Sequence, residues 1–258
     1  MAEAHRNPLG DFLRSRRQRL TPADVGLSGG RRRRTAGLRR EEVAELAGIG
    51  VDWYVRLEQG RAVSPSATTI EALGRALRLD PAEQAHLRAL THNAGRRPFV
   101  REIVPVPVLR AVEGLNQPAY VTGRRWDVLA WNAAAEAVFG FGAVAEADRN
   151  SLISVLTRPS TRRLFGETWG GEARRMVAEF RATHDLWAGD PAFIDLLHRL
   201  RDGCPEFEGW WDTHDVRSGG IAGRKRLQHP TKGELTFEYA TFQANDDPAL
   251  KLVIYTPV

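Results

Sequence analysis

The first 61 residues carry a dense set of arginines, the side chain that binds anions with the best-matched geometry. The set comprises Arg31, Arg32, Arg33, Arg34, Arg39, Arg40, Arg56 and Arg61. A guanidinium keeps its charge at physiological pH and can donate two parallel hydrogen bonds to a phosphate or to guanine O6 and N7. These residue types therefore favour recognition of an anionic polymer.

Two short helices joined by a tight turn are predicted between Leu38 and Gly60. Their apolar and inward-facing positions recur at helical spacing: Val43, Ala44, Leu46, Ala47, Tyr54 and Leu57. Gly48 and Gly50 flank the turn, where small residues let the helices approach closely, and Gly60 ends the second helix. A helix-turn-helix of this kind places its second helix in the DNA major groove. Two ordinary core helices are the alternative, but they leave the flanking arginines unexplained.

Charge is divided unevenly along the 258 residues, whose formal net charge is +5. Residues 1–98 contain 18 arginines and 11 acidic residues, a net charge of +7, whereas residues 99–258 have a net charge of −2. We therefore expect the anionic polymer to bind the first part only. Arginine outnumbers lysine 34 to 3 over the whole chain, and part of this bias can reflect the base composition of the genome.

The single cysteine, Cys204, excludes an intramolecular disulfide bond and a cysteine-based zinc site, and its apolar neighbourhood predicts an inert core thiol. The scattered histidines lack the spacing of a metal site. No apolar run approaches the roughly 20 residues of a membrane span, and the charged N-terminus predicts no signal peptide. We expect a cytoplasmic protein with no metal, no cofactor and no membrane partner.

Two domains are expected, at residues 1–96 and 108–258, joined by a proline-spaced linker at 97–107. The first is predicted to be all-α with five helices: Leu9–Arg19, the two described above, Thr68–Leu77 and one that begins at Asp80. The second should be α+β, because predicted strands lie at both of its ends with helices between them. These strands are Pro118–Thr122, Arg125–Ala130, Gly223–Gln228, Glu234–Phe242 and Leu250–Tyr255. We expect one antiparallel sheet covered on one face.

The segment EEVAELAGIGVDWYVRLEQGR resembles the Cro/repressor-type family of helix-turn-helix proteins, also called the XRE family. The flanking RRRRTAGLRR and SPSATTIEALGRALRL are similar to a bacterial subfamily, so the resemblance covers residues 8–95. It implies that Tyr54 and Leu57 belong to the core. It also implies an outward face at the start of the recognition helix, made of Val51, Asp52, Trp53 and Arg56.

Three of these outward residues keep two alternative roles each. Arg56 can read guanine O6 and N7 or contact a phosphate. Asp52 can accept a hydrogen bond from cytosine N4 or repel phosphate. Trp53 can touch a thymine methyl group or pack on the protein. We include all three, with Val51, in the predicted DNA-binding set.

Other residues of this domain have roles implied by the same resemblance. Arg40 lies where family members contact the DNA backbone, and Arg61 completes the predicted set. The loop Arg31–Arg34 can follow phosphates or enter a narrow minor groove, the alternative being a solvated basic loop. Glu58 is expected to be structural and to pair with Arg17 of the first helix.

The second half is rich in aromatic residues, most of which must be core. Aromatic side chains beside a few polar groups also build small-molecule pockets. The polar candidates are Asn132, His214, Arg217, Arg224, Lys225 and His229. Pairs such as His214 with Asp215 lack any supporting catalytic motif, and we expect no enzyme.

Two stretches, RRWDVLAWNAAAEAVFG and WWDTHDVRSGG…RKRLQHPTKGELTFEY, resemble the ligand-binding domain of MmyB-like transcription regulators. The resemblance spans residues 105–258 and implies a PAS-like fold, a sheet and flanking helices around an internal cavity. A fatty acid is a known ligand in that family, so it also implies an apolar and sometimes acidic ligand. The predicted ligand-binding set is Trp131, Asn132, Trp210, His214, Arg217 and His229.

Roles within that set differ. Arg217 is the first choice to pair a ligand carboxylate, with His214 or His229 in support. The alternative for both histidines is that they fix the ends of strands. Asn132 is better suited to cap the following helix than to bind ligand.

These observations predict a transcription regulator that binds double-stranded DNA and senses a small apolar, fatty-acid-like ligand. Two DNA-reading domains about 34 Å apart would reach consecutive major grooves, so we expect a homodimer. The alternative is a ligand-independent regulator whose second domain serves only dimerisation or partner binding.

Overall fold

A computed structural model describes residues 7–27, 37–61, 64–91, 98–217, 219–220 and 222–258. The predicted arginine run Arg31–Arg34 lies outside the described residues. Among the helices of the described parts, none is long and apolar enough to cross a membrane.

Five α-helices form the described part of the N-terminal domain, as predicted. They are α1 (Pro8–Arg19), α2 (Arg40–Ala47), α3 (Val51–Glu58), α4 (Ala67–Ala76) and α5 (Pro81–Thr91). The side chains of Asn7, Ser66 and Asp80 accept hydrogen bonds from backbone N–H groups in the first turns of α1, α4 and α5. These caps satisfy amide groups that have no partner inside the helix, which is why the helices begin there.

The helices pack around one apolar core that includes the predicted inward residues except Leu46, whose predicted inward position is wrong because the side chain is 37% exposed on α2. Tyr54 and Leu57 are 0% and 1% exposed, and they confirm the inward face of α3. Gly48 has φ of +65°, a left-handed conformation that ends α2 and opens the turn to α3. A Cβ at Gly10 would lie 2.2 Å from the carbonyl oxygen of Glu58. The close contact of α1 with α3 therefore requires glycine at position 10.

The C-terminal domain is α+β, as predicted. Its helices are α6 (Val106–Glu113), α7 (Ala133–Phe139), α8 (Ser151–Thr157), α9 (Pro159–Phe165), α10 (Trp169–Leu186), α11 (Pro191–Gly203) and α12 (Phe207–Trp211). Its strands are β1 (Ala119–Thr122), β2 (Val128–Trp131), β3 (Ala222–His229), β4 (Gly233–Gln243) and β5 (Lys251–Pro257). They form one antiparallel sheet in the order β2-β1-β5-β4-β3.

The sheet differs from expectation in two respects. Strand β2 begins at Val128 rather than Arg125, because Trp126 takes a left-handed conformation in the preceding turn. Helix α6 covers part of the second face, where its Val112 packs in one cluster with Val121 and Ala130. The main core lies on the other face, against α8 to α12.

Two helices, α8 and α9, were not predicted. Each has only seven residues, too few to show a clear helical period. Cys204 is buried in the main core, and burial beside Glu206 raises the pKa of its thiol to about 11. The thiol is therefore a buried core group, as the sequence predicted, and its raised pKa favours the neutral form.

Candidate functional site

The outward face of α3 is accessible. Val51, Asp52 and Arg56 are exposed on α3, and Arg61 is exposed just beyond it. Trp53 is partly buried and packs against the core of its domain. This contact favours a packing role for Trp53 over contact with a thymine methyl group. The described residues thus present one carboxylate and two guanidinium groups beside a small apolar side chain.

Glu58 holds three helices together at the base of this face. Its side chain is fully buried, and its Oε1 lies 2.6 Å from Nε of Arg17 on α1. Its Oε2 lies 2.7 Å from Nε of Arg40, the first residue of α2. Burial opposes ionisation, but the two arginines outweigh it and hold the pKa of Glu58 below its ordinary value. The predicted pairing of Glu58 with Arg17 is confirmed.

Arg40 has a structural partner in addition to its predicted role. Its side chain is 41% exposed while its Nε is bound to Glu58. The guanidinium is therefore fixed in direction and still reaches the surface. A phosphate contact by Arg40 stays a prediction.

The C-terminal domain contains a partly open cavity of about 1080 Å³ between the sheet and helices α7 to α10. The sheet forms the floor of the cavity, where paired residues of β1, β5 and β4 lie side by side in rows. One row is Thr122, Lys251 and Gln243, and the next is Tyr120, Val253 and Thr241. Tyr255 and Tyr239 pair in the row beyond. Phe139, Phe141, Val155, Leu164, Phe165 and Met176 are among the residues that line the walls.

Aromatic rings dominate one end of the cavity. The ring of Tyr120 stacks on that of Tyr255 with centroids 6.1 Å apart, and it meets Phe139 and Phe141 edge-on. Burial raises the pKa of both tyrosines, so their hydroxyl groups are neutral. This surface suits an apolar molecule and offers it few hydrogen bonds.

Four charged groups form a closed network on one side of the cavity. Arg175 of α10 bonds to Glu179 and, at 2.7 Å, to Oε2 of Glu172. Lys225 of β3 also donates to Glu172. Burial lowers the pKa of Lys225, while the two cations keep the pKa of Glu172 low despite its own burial. The network has two positive and two negative members and is internally neutral.

Of the six residues predicted to bind ligand, only His229 lines the cavity. Its Nε2 lies 3.0 Å from the Ala137 carbonyl oxygen, and its Nδ1 contacts the turn after β3. This arrangement corresponds to the strand-end alternative. The other five, Trp131, Asn132, Trp210, His214 and Arg217, are absent from the cavity lining among the described residues.

Three of those five residues, Asn132, Trp210 and Arg217, have contacts that account for their positions. Asn132 accepts from the Ala135 amide and caps α7, as preferred from the sequence. The Trp210 ring packs on Trp169, with centroids 5.7 Å apart. The Arg217 amide donates to the Ala178 carbonyl on α10, so Arg217 belongs to a segment that follows the helix surface.

The residues missed by sequence reasoning include Thr122, Arg158, Arg175, Tyr239 and Lys251, all of which line the cavity. Alternation along β1, β4 and β5 groups Thr122, Tyr239 and Lys251 on one face of the sheet. That signal was present in the sequence. It could not show which face was turned to the cavity.

A junction of buried polar and apolar contacts joins the two domains. Asp185 of α10 is 8% exposed, and its Oδ2 lies 3.1 Å from Nε2 of His86 on α5. Its Oδ1 lies 3.1 Å from Nδ1 of His184. Burial raises the pKa of Asp185, but the histidines and Arg181 more than reverse this, so the pKa lies far below its ordinary value.

The segment 212–217 provides the rest of the junction. Val216 is buried within the apolar core of the N-terminal domain. Arg16 of α1 is 2% exposed and donates to the His214 carbonyl oxygen at 2.7 Å, while its Nε lies 2.8 Å from Glu83. Arg19 pairs with Asp215. His214 therefore contributes to the junction rather than to the cavity, and burial beside Arg181 lowers the pKa of its ring.

The cavity and the junction share structural elements. On α10, Met176 and Glu179 line the cavity, whereas Ala182 and Leu186 pack against the N-terminal core. Gly219 and Gly220, just beyond the segment 212–217, line the cavity as well. A displacement of either element at the cavity would be felt at the junction.

Comparisons with known proteins agree with this division. A family model described as MmyB-like transcription regulator ligand binding domain matches residues 104–258, and one described as helix-turn-helix domain matches residues 8–87. No curated protein matched the chain. Both matching families are regulatory rather than enzymatic.

Substitutions in α3 should separate stability from DNA binding. Glu58→Ala leaves two arginines without their buried partner, so we expect a loss of about 3 kcal/mol of stability together with weaker DNA binding. Arg56→Ala should weaken binding to a selected DNA site by about 1–3 kcal/mol with an unchanged melting temperature. Thermal unfolding and DNA titration of both variants measure this. Equal thermal losses in the two variants would contradict the assignment.

Asp185 should make the junction sensitive to acid. Because its pKa is lower in the folded chain than its ordinary value of 3.8, its stabilisation is present above about pH 4 and declines as the pH falls further. Asp185→Asn removes the charge but keeps a similar shape. Thermal unfolding should show that wild type has a higher melting temperature than Asp185→Asn at pH 6. The difference between the two melting temperatures should narrow between pH 4 and pH 2. A difference in melting temperature that does not change with pH would mean that the fold does not lower the pKa of Asp185.

Proposed function

Since the chain belongs to the MmyB-like transcription regulators and joins a helix-turn-helix domain to a ligand-binding domain, we propose that it is a sequence-specific DNA-binding regulator controlled by a small apolar ligand of the fatty-acid type. A DNA partner and a small-molecule ligand follow from the two domains. The nature of the ligand, the residues that contact it and the manner of control are the proposal.

The observation that carries the ligand proposal is the cavity itself. Its volume of about 1080 Å³ is at the upper end of the range for small-molecule sites. Its walls are largely aromatic and aliphatic, and its buried tyrosines are uncharged. A flexible hydrocarbon chain would remove much apolar surface from water there, at about 25 cal/mol per Å².

The DNA proposal rests on the exposed face of α3. Contacts with the C-terminal domain come from α1 and α5, through Arg16, Arg19 and His86. The exposed residues Asp52 and Arg56 lie on α3, outside those contacts. We propose that Val51, Asp52 and Arg56 face base edges, and that Arg40, Arg61 and Arg31–Arg34 contact the DNA backbone.

Control by ligand would be a shift between two arrangements of the junction. A ligand that favours one position of α10, or of Gly219 and Gly220, changes the position of the N-terminal domain through Asp185 and Val216. In a homodimer, this change alters the spacing of two DNA-reading domains, and hence the affinity for paired half-sites. A ligand-independent regulator, whose second domain serves only dimerisation, is the alternative.

Native mass spectrometry of the purified protein, followed by extraction and identification of bound molecules, tests the ligand proposal. We expect a lipid-like molecule near one per chain, or stoichiometric uptake of an added long-chain fatty acid. Ser154 lines the cavity, so Ser154→Trp should reduce occupancy by filling it. Thr256→Trp, at an exposed position of β5, is the matched control and should retain occupancy.

Either of two outcomes would contradict the ligand proposal. One is an empty protein that also fails to take up the added fatty acid. The other is equal occupancy in the two tryptophan variants, which would place the bound molecule elsewhere.

A further inference from the structure

Lysine is rare in this chain, and it is concentrated at the cavity. Only three of the 37 basic residues are lysines: Lys225, Lys232 and Lys251. Two of them, Lys225 and Lys251, line the cavity. A lysine ammonium is a compact point charge on a flexible stem, whereas arginine is planar and more extended. The two cavity lysines differ sharply in their surroundings.

Lys225 is neutralised by the protein. It donates to Glu172, which Arg175 also binds, and Arg175 is paired in turn with Glu179. This closed network leaves no net charge for a ligand to balance. Lys225 therefore serves to join β3 to α10.

Lys251 lies outside that network. Among the described residues, the structure shows no hydrogen-bond or ion-pair partner for its Nζ. Desolvation lowers the pKa of Lys251 in spite of the charge of Glu179. A partly buried cation with no counter-charge in contact is costly, and an anionic ligand group would relieve that cost.

The neighbours of Lys251 suit one end of an amphiphilic molecule. Thr122 and Gln243 flank it on the adjoining strands, and the Gln243 amide is held by a 3.1 Å hydrogen bond to the Pro248 carbonyl oxygen. Lys251 and Gln243 also border a smaller groove of about 620 Å³. The polar row is thus at one end of the floor, and the tyrosine row lies further inside.

We propose that Lys251 anchors a single carboxylate group of an amphiphilic ligand, with the Thr122 hydroxyl as a second donor, while the hydrocarbon part extends along Tyr239 and Tyr255. This inference rests on the proposed function, because it assumes an apolar ligand in the same cavity. A carboxylate is favoured over a phosphate because one ammonium balances one charge, and Lys225 and Arg175 are already paired with Glu172 and Glu179.

Arg158 provides a matched control. It also lines the cavity, and no described residue forms an ion pair or side-chain hydrogen bond with it. It precedes α9 beside the exposed Pro159 and Ser160, whereas Lys251 lies on the sheet. Charge alone would make Lys251 and Arg158 equivalent.

The experiment measures binding of dodecanoate, dodecan-1-ol and dodecyl phosphate to delipidated wild type, Lys251→Gln and Arg158→Gln by isothermal titration calorimetry. We expect Lys251→Gln to weaken dodecanoate binding tenfold or more and to leave dodecanol binding unchanged. Arg158→Gln should change both affinities by less than about twofold. Circular dichroism melting checks that both variants fold.

Three results would overturn the inference. Equal dodecanoate binding by Lys251→Gln and wild type removes Lys251 as the anchor, while the proposed apolar ligand stands. Tighter binding of dodecyl phosphate than of dodecanoate by wild type assigns the subsite to phosphate instead. Failure of every probe to bind refutes the apolar-ligand proposal, and the anchor falls with it.

A second measurement needs no variant. The carboxyl ¹³C resonance of bound [1-¹³C]dodecanoate can be followed against pH in wild-type protein. Beside an ammonium group, the bound acid should stay ionised to a lower pH than the free acid. A titration midpoint above that of the free acid would mean that the carboxyl group is buried without a cation, and it would overturn the inference.

Discussion

An ionised carboxylate buried between two domains is the constraint on which the rest of this structure depends. Asp185 keeps its charge away from water only because His86 of α5 and His184 and Arg181 of α10 face it. Separation of the domains would remove His86 and leave a partly desolvated charge, which is unfavourable unless water or a new partner replaces it. These contacts stabilise the arrangement of the domains seen here, with Val216 inserted into the N-terminal core.

That arrangement gives α10 a double role. The helix has 18 residues, a length of about 27 Å at 1.5 Å per residue. Met176 and Glu179 line the cavity, and Asp185 and Leu186 meet the N-terminal domain. A helix of this length moves as a rigid body, so occupation of the cavity can reach the DNA-binding domain without unfolding of any element. The segment 212–217 offers a parallel connection.

Local signals in the sequence predicted much of the fold. The helix start at Asp80, the helical spacing of Tyr54 and Leu57 and the alternation of the strands are short-range features, and the structure confirms them. The pairing of Glu58 with Arg17 was also predicted, from resemblance to a known family. Helices α8 and α9 were missed because seven residues span only about two turns.

The ligand site was harder to predict because it depends on long-range placement. His214 and Arg217 were chosen for their chemistry, but their segment leaves the sheet and packs between α10 and the N-terminal domain. Lys251 sits at the start of a strand and was overlooked, because its proximity to Thr122 and Gln243 follows from strand register. Sequence alternation can group residues on one face, but only the packed structure shows what that face borders.

In the proposed mechanism, cavity occupancy and DNA affinity are linked through the junction. The most direct test is to select a DNA site from a random pool and measure its affinity for delipidated protein and for protein saturated with a long-chain fatty acid, at fixed salt. Linkage between the two sites should change the DNA affinity by about fivefold or more, the usual range for coupled sites. Identical affinities at full occupancy would contradict it and leave a regulator whose second domain does not control DNA binding.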